Sequence, residues 1–341
     1  MDSAVLFRPK SLIQNPLKLV DPFGRKLDYL RLSITERCNL RCTYCMPEHG
    51  VPLHKSDHLL SYEEMDRLTD IFTDLGIKKI RITGGEPFVR KEAFNFIQTL
   101  NSKDKLTSIN ITTNGVFIGD YLNALKMIKL GSLNISLDSL KKEKFFEITR
   151  RDEFEIVYKN LMLSVEMGLP VKVNMVVMNG VNDDEIIPFA RLTEKLPVEV
   201  RFIEQMPFSG GKFDNNIFNA TQIKSLLEKV FLLKPEISDS TSTSLLYRVP
   251  GFEGKIGIIA GYSRTFCGSC NRLRITADGM LKTCLYDRVA ANLKTALRSG
   301  RSNDEITEII LNAVAHRAKN GFESQQRANG KNNLSMAQIG G

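Results

Sequence analysis

Tryptophan is absent from the 341 residues, aromatics make up only 8%, and histidine occurs four times. No basic stretch is interleaved with aromatics, which disfavours a base-stacking platform for nucleic acid. No run approaches the ~18 uninterrupted apolar residues of a membrane span. The opening MDSAVLFRPKSLIQNP has no apolar core followed by a small-residue cleavage site, and it lacks the Ser/Arg-rich, acid-free character of a transit peptide. These absences lead to the expectation of a cytoplasmic protein with no membrane partner. Blocks of five or more like charges are also missing, and pairs such as Arg90-Lys91 and Lys141-Lys142 read as solvated helix starts. The net charge of +8 and pI near 9.1 still call for a polyanionic ligand. Nucleic acid and a nucleotide triphosphate both qualify, and composition does not choose.

Cysteine is scarce, and all six fall into two triplets: Cys38, Cys42, Cys45 and Cys267, Cys270, Cys284. Three per group disfavours pairing within a group, and a reducing compartment favours metal or cluster ligation over disulfides. Crossed disulfides between the triplets stay formally open. Structural zinc wants four closed ligands. No fourth cysteine follows the front triplet, and His49, His54 and His58 have no spacing suited to a tight tetrahedral site. Three clustered thiolates suit a four-iron cluster better, with one iron left for a non-protein ligand.

From Leu27 to Met206 the chain alternates strand-like and helix-like runs six times. The strands are LDYLRLSIT, KKIRITG, SINITTNG, LNISLDS, VKVNMVVM and VEVRFIEQM; the helices are Tyr62–Leu75, Lys91–Leu100, Tyr121–Leu130, Phe154–Met167 and Asp183–Lys195. Gly76, Gly131 and Gly168 stand where a helix-terminating glycine belongs. Repeated βα units imply a parallel sheet with right-handed crossovers. Within the strands, residues such as Leu30/Leu32, Ile80/Ile82 and Ile109/Ile111 alternate with Arg31/Ser33, Arg81/Thr83 and Asn110/Thr112. If helices cover the apolar face, the polar face looks inward, giving a hollow, wet barrel where a filled one would be lined by branched apolar chains. An antiparallel sheet with one solvated face is the competing arrangement. Beyond Met206 come a Gly/Asn-rich linker (MPFSGGKFDNN), a helix over Thr221–Phe231, an SDSTSTS loop, strands LLYRV and KIGIIAGYS, a hairpin turning at Asp278-Gly279, and helical material from about Val289 to Lys319.

The run Cys-x3-Cys-x2-Cys after a first strand, with Tyr44 before the last cysteine and TGGEP (Thr83–Pro87) ending the second strand, resembles the radical S-adenosylmethionine superfamily. FCGSCNRLRITADGMLKTCL, GVNDDEI, RFIEQMP and the terminal Gly-Gly narrow the resemblance, over roughly Asp21 to Gly341, to its GTP 3′,8-cyclase family. Gln205 stands where an aromatic is frequent in that family, and the loop after Pro47 differs.

The resemblance implies a partial (β/α)6 TIM-like barrel over residues 21–206. It is preceded by a leader (1–20) and followed by a C-terminal hairpin and helical region (207–330) capping the open side and a flexible tail (331–341). It further implies two [4Fe-4S] clusters, on Cys38, Cys42, Cys45 and on Cys267, Cys270, Cys284, the second holding the guanine end of GTP. S-adenosylmethionine would meet Tyr44, Gly85, Ser136 and Met206, with TGGEP holding its amino group. GTP would meet Arg31, Arg81, Thr112, Lys172, Arg272, Leu273 and Arg274, with Arg201 uncertain in register, and Gly340 and Gly341 would reach into the site. A 5′-deoxyadenosyl radical would abstract the ribose 3′ hydrogen and the carbon radical would attack guanine C8, in molybdenum cofactor biosynthesis. The implied partners are a reducing electron donor and, downstream, the cyclic pyranopterin monophosphate synthase; a homodimer is compatible, and nucleic acid and membrane are not expected. Two other classes compete: a peptide-modifying radical enzyme with an auxiliary cluster, and a zinc-bearing nucleic-acid module.

Overall fold

Period-two alternation sorts the side chains of six successive strands onto two faces, and a computed structural model shows where each face goes. The structure describes residues 18–208, 216–237, 239, 241–328 and 335–340. Leader residues 1–17, most of the linker after Phe208, tail residues 331–334 and Gly341 lie outside the described residues.

Strands β1 (Tyr29–Ser33), β2 (Lys79–Thr83), β3 (Ser108–Thr113), β4 (Leu130–Ser136), β5 (Val171–Val177) and β6 (Glu199–Glu204) pair in sequence order, all parallel. Helices α1 (Tyr62–Asp74), α2 (Ala93–Asn101), α3 (Leu122–Leu125), α4 (Lys142–Thr149), α5 (Phe154–Glu166) and α6 (Ile186–Lys195) fall in the crossovers. The apolar strand face, including Leu30, Ile80, Ile109, Leu133 and Val173, is fully buried in one core with helix residues such as Phe72, Ile97 and Phe189. The antiparallel alternative is therefore excluded for these six strands.

Two expectations need correction. The helix expected over Tyr121–Leu130 is a single 3-10 turn followed by the four-residue α3, and Leu130 already belongs to β4. Gly131 ends no helix: it lies inside β4, where a Cβ would stand 1.9 Å from Ser108 Oγ. The register of β3 against β4 slips between Ile109 and Asn110, which brings Ser132 opposite Asn110. Gly76 and Gly168 do carry the positive φ of helix ends.

After α7 (Ala220–Glu228) the remaining strands extend the sheet at both edges. Antiparallel β7 (Lys234–Glu236) and β8 (Ser244–Arg248) lead to β9 (Lys255–Ile259), which runs parallel beside β6. β10 (Arg272–Ile275) runs parallel beside β1, then turns at Gly279 into antiparallel β11 (Met280–Lys282) and the short β12 (Ala291–Asn292). Helices α8 (Leu293–Arg298), α9 (Asn303–Ala315), α10 (Gly321–Arg327) and α11 (Met336–Ile339) complete the described chain. The result is an open sheet of the partial-barrel type, its concave face polar and closed over by segments from the C-terminal region.

Candidate active site

The polar strand face encloses a cavity of about 510 Å³, within the range of small-molecule sites. Lateral pairing places Arg274, Arg31 and Arg81 side by side on adjacent strands. Like charges at directly opposed positions are unfavourable unless something anionic lies between them. Burial, first, and then the Arg274 and Arg81 cations hold Arg31 well below its ordinary pKa. Burial likewise takes Arg274 down to about 10. Arg81 donates to Tyr29 Oη at 2.7 Å, Ser132 Oγ at 3.0 Å and Thr112 Oγ1 at 3.1 Å, a fixed fork of neutral acceptors. On the opposite wall Glu199 accepts from Lys172 at 2.7 Å and from Arg201 at 2.5 Å. Arg201, whose register the sequence left open, lines the cavity. Among the described residues, no carboxylate forms an ion pair with Arg81, Arg272 or Arg274.

At the carboxyl ends of the strands Tyr44 Oη donates to Asp138 Oδ2 at 2.8 Å, and Ser136 and Met206 line the same space. Desolvation lifts the Asp138 carboxyl to about 6, against the lowering effect of the Val176 amide and Tyr44. All six cysteines are free thiols, so crossed disulfides do not form. The front three follow β1, and their loop is fastened to the TGGEP segment: the Gly85 amide donates to the Thr35 carbonyl and the Glu86 amide to the Arg37 carbonyl, each at 2.8 Å. A Cβ on Gly84 or Gly85 would stand 2.5 Å from the carbonyl oxygen of Thr35 or Arg37 respectively. The glycines of this motif thus admit the cysteine loop's own backbone. Glu86 is wholly buried and accepts from Thr113 Oγ1 (2.9 Å) and the amides of Asn114 (2.6 Å) and Phe88 (3.1 Å).

Burial pushes the Cys38 thiol to about 11 and Cys45 to about 12, and raises Cys42 well above its ordinary value; the neighbouring Glu86 carboxylate adds at Cys38, and the thiolates repel one another. Three half-buried thiols without a fourth protein donor among the described residues fit a cationic iron cluster that reverses this cost. Among the described residues, no three His, Cys, Asp or Glu side chains gather around a single-ion site. That arrangement does not support mononuclear zinc. Cys267, Cys270 and Cys284 line the cavity itself. Cys270 differs from the front set. Burial opposes it, yet Arg317 and Arg272 bring its thiol down to about 7.

α11 connects the two trios. The Ala337 amide favours the thiolate of Cys45, while Ile339 and Met336 pack with Phe208, Tyr286 and Cys284 in one apolar cluster. The Gly340 carbonyl accepts from Arg274 at 2.9 Å. Of the residues expected at the site, Arg31, Tyr44, Arg81, Thr112, Ser136, Lys172, Met206, Arg272 and Arg274 line the cavity. Leu273 sits on the opposite face in the core, in register with Leu30. Gly85 and the front cysteines lie beside the cavity without lining it. Residues that the sequence did not signal are Asp21, Arg25, Arg264 and Arg317, all buried around the back thiols.

The Radical SAM superfamily profile matches residues 32–193 and the Molybdenum Cofactor Synthesis C profile residues 198–323. The GTP 3′,8-cyclase of Desulforamulus reducens is 40% identical over 95% of this chain and 100% of its own length. The chain belongs to the GTP 3′,8-cyclase family. Molybdenum cofactor biosynthesis protein 1 of Homo sapiens is 45% identical over 88% of this chain, which spans about half (48%) of that longer protein. Among solved structures, Streptococcus suis SuiB superposes with a TM-score of 0.57 at 15% identity, covering 77% of this chain and 62% of SuiB, a likeness of fold alone. Radical SAM membership brings S-adenosylmethionine and one [4Fe-4S] cluster to the family's chemistry, and the front trio is the donor set that fits it. Among the described residues, no helix is long and apolar enough to cross a membrane.

Proposed function

We propose that this chain converts GTP to (8S)-3′,8-cyclo-7,8-dihydroguanosine 5′-triphosphate, the first step of molybdenum cofactor biosynthesis. The observation that carries the reading is the row Arg274–Arg31–Arg81 in one cavity with Cys267, Cys270 and Cys284. Guanidiniums crowded side by side in a cavity repel one another unless a multiply charged anion lies among them, and planar guanidinium forks match phosphate oxygens. Arg31, Arg81, Lys172, Arg272 and Arg274, with Thr112, would hold the triphosphate and orient the nucleoside. Cys267, Cys270 and Cys284 would hold a second [4Fe-4S] cluster whose open iron takes the guanine end. Cys38, Cys42 and Cys45 would hold the first. Tyr44, Gly85, Ser136 and Met206 would surround S-adenosylmethionine. When bound, S-adenosylmethionine and a reduced front cluster would supply a 5′-deoxyadenosyl radical to abstract the ribose 3′ hydrogen; closure of C3′ onto guanine C8 would then leave a purine-centred radical that needs one more electron, from the external donor, and one proton to give the 7,8-dihydro product.

The protein's own share is positioning and exclusion of water. The Arg81 guanidinium is fixed by Tyr29, Thr112, Ser132 and the Ile111 carbonyl, which leaves one Nη2 hydrogen to meet a phosphate oxygen. Tyr44 is held by Asp138, which orients its ring toward the cavity. α11 and Gly340 close the space between the trios. Gly341 lies outside the described residues. A cytoplasmic setting, an external one-electron donor and delivery of the product to the cyclic pyranopterin monophosphate synthase complete the reading.

Anaerobically reconstituted protein should carry about eight irons per chain, consume GTP with S-adenosylmethionine, and fall to about four irons in Cys284→Ser. Iron near four that is unchanged by Cys284→Ser defeats the two-cluster assignment. Failure to bind GTP alongside binding of a peptide shifts the substrate class.

A further inference from the structure

Three buried charged residues from distant parts of the chain converge on the back thiols. Arg317, which follows α9, is 3% exposed. Its Nη2 lies 3.3 Å from Cys270 Sγ, its Nη1 donates to the Cys270 carbonyl at 2.9 Å, and its Nε donates to the Thr283 carbonyl, next to Cys284, at 3.0 Å. The same Nη1 reaches Asp21 Oδ2 at 3.1 Å. Asp21 also binds Arg25 Nε at 2.5 Å, and Arg25 donates to the carbonyls of Cys267 (2.9 Å) and Ala318 (2.7 Å). Each back cysteine is therefore held, directly or through its neighbour, by one of two guanidiniums sharing a single carboxylate.

Charge counting says what the network is built around. Two buried arginines face one buried aspartate, and Arg264 is also buried beside Cys267, so positive charge is in excess, and burying a charge without a partner is strongly unfavourable. A four-iron core of charge 2+ bound by three thiolates carries one net negative charge, the sign that this excess calls for. An arginine that only stapled the N-terminal segment to α9 would have no reason to aim at a ligand sulfur. Donors to cluster sulfurs and to the carbonyls of ligand residues fix thiolate spacing and raise reduction potential.

We infer that Arg317 is a positioning residue of the back cluster, anchored by Asp21 and Arg25, so that the N-terminal segment before β1 is a working part of that site. The inference rests on the second cluster proposed above. Asp21 and Arg25 precede the matched span 32–193, so neither of them belongs to either profile's match.

The test uses a chain with Cys38, Cys42 and Cys45 replaced by alanine, so that iron reports on the back site alone. Arg317→Met in that chain should speed iron release to a chelator on the order of 10–100-fold and move the cluster's midpoint potential negative. Arg317→Lys, which keeps the charge without the fork, should restore the potential more fully than the release rate. If Arg317→Met does not fold, Asp21→Asn, which leaves the guanidinium but removes its anchor, is read for the same two changes. Unchanged release and potential in a variant holding about four irons overturn the role of Arg317 and leave the second cluster standing. A triple-alanine chain with native Arg317 that takes up no iron overturns the second cluster, and this inference with it.

Discussion

Arg31→Met should stabilise the apoprotein and weaken its hold on GTP, two opposite effects of one substitution. Arg31 lies between Arg274 and Arg81 in lateral register. Neighbouring strands are ~4.8 Å apart, and unit charges at that separation repel by roughly 3 kcal/mol at an effective dielectric constant near 20. Two neighbours set an upper bound of roughly 6–7 kcal/mol. Splayed side chains, cavity water and the hydrogen bonds that Arg31 gives up reduce it, so that a net gain of about 1–2 kcal/mol is expected. With an unfolding entropy of ~2.1 cal/mol/K per residue over 341 residues, that corresponds to a Tm rise of about 1.5–3 °C. Loss of a charge-assisted phosphate contact costs ~1.5–3 kcal/mol, which is roughly a 10–150-fold rise in the Kd for GTP. The assay is thermal unfolding of apoprotein in chloride buffer free of multivalent anions, with and without a GTP titration. A lower Tm together with an unchanged GTP midpoint would refute the claim that this arginine row exists for an anion.

Three further outcomes follow from single contacts. Burial holds the Glu86 carboxyl at about 7, above its ordinary 4.5, so its contribution to apoprotein stability is fully present below about pH 4.5 and is lost as pH rises through about 7. Denaturant titrations at pH 5 and pH 8 should show native protein losing about 2–3 kcal/mol more than Glu86→Gln over that interval; parallel losses would count against it. Gly85→Ala puts a Cβ 2.5 Å from the Arg37 carbonyl, displacing the front cysteine loop, and iron should fall from about eight to about four per chain; full iron content would show that the loop tolerates the methyl. Glu199→Gln releases Lys172 and Arg201 from their shared carboxylate, so GTP should bind several-fold tighter at low salt with a steeper salt dependence, measured by calorimetry at two ionic strengths.

The barrel wall was legible because strand periodicity is local: once Arg31, Arg81, Asn134 and Lys172 alternate with buried aliphatics, the fold has only one polar face to give them. The six front strands all form, with ends shifted by a few residues. Gly131 was misread because a glycine after a helical pattern and a glycine under a crowding serine look alike in sequence; only the β3–β4 register reveals Ser108. TGGEP was expected to hold a ligand's amino group, whereas the atoms its glycines admit belong to residues 35–37, a contact no spacing rule encodes. Arg317 had no signal at all. Its partner Asp21 is 296 positions away, and a pairing that distant leaves no local pattern.

The two cysteine trios are alike in number, yet their surroundings divide their work. Around the front trio burial, and after it the carboxylates of Glu86 and Asp138, drive all three thiols up, with Arg41 opposing them only weakly at Cys38. A cationic core there relieves repulsion that the protein has built in, and a ligand chelating its open iron is best zwitterionic, bringing little net charge to a site already rich in anions. Around Cys270 the charged neighbours are Arg317 and Arg272, with Arg274 two residues further along the strand. An open iron in that setting favours a partner attached to a polyanion, because the cations that steady the thiolate continue without a break into the row at Arg31 and Arg81. Cysteine spacing therefore predicts that iron is held twice. Which site would receive the sulfonium and which the nucleotide is decided by the side chains that face each trio.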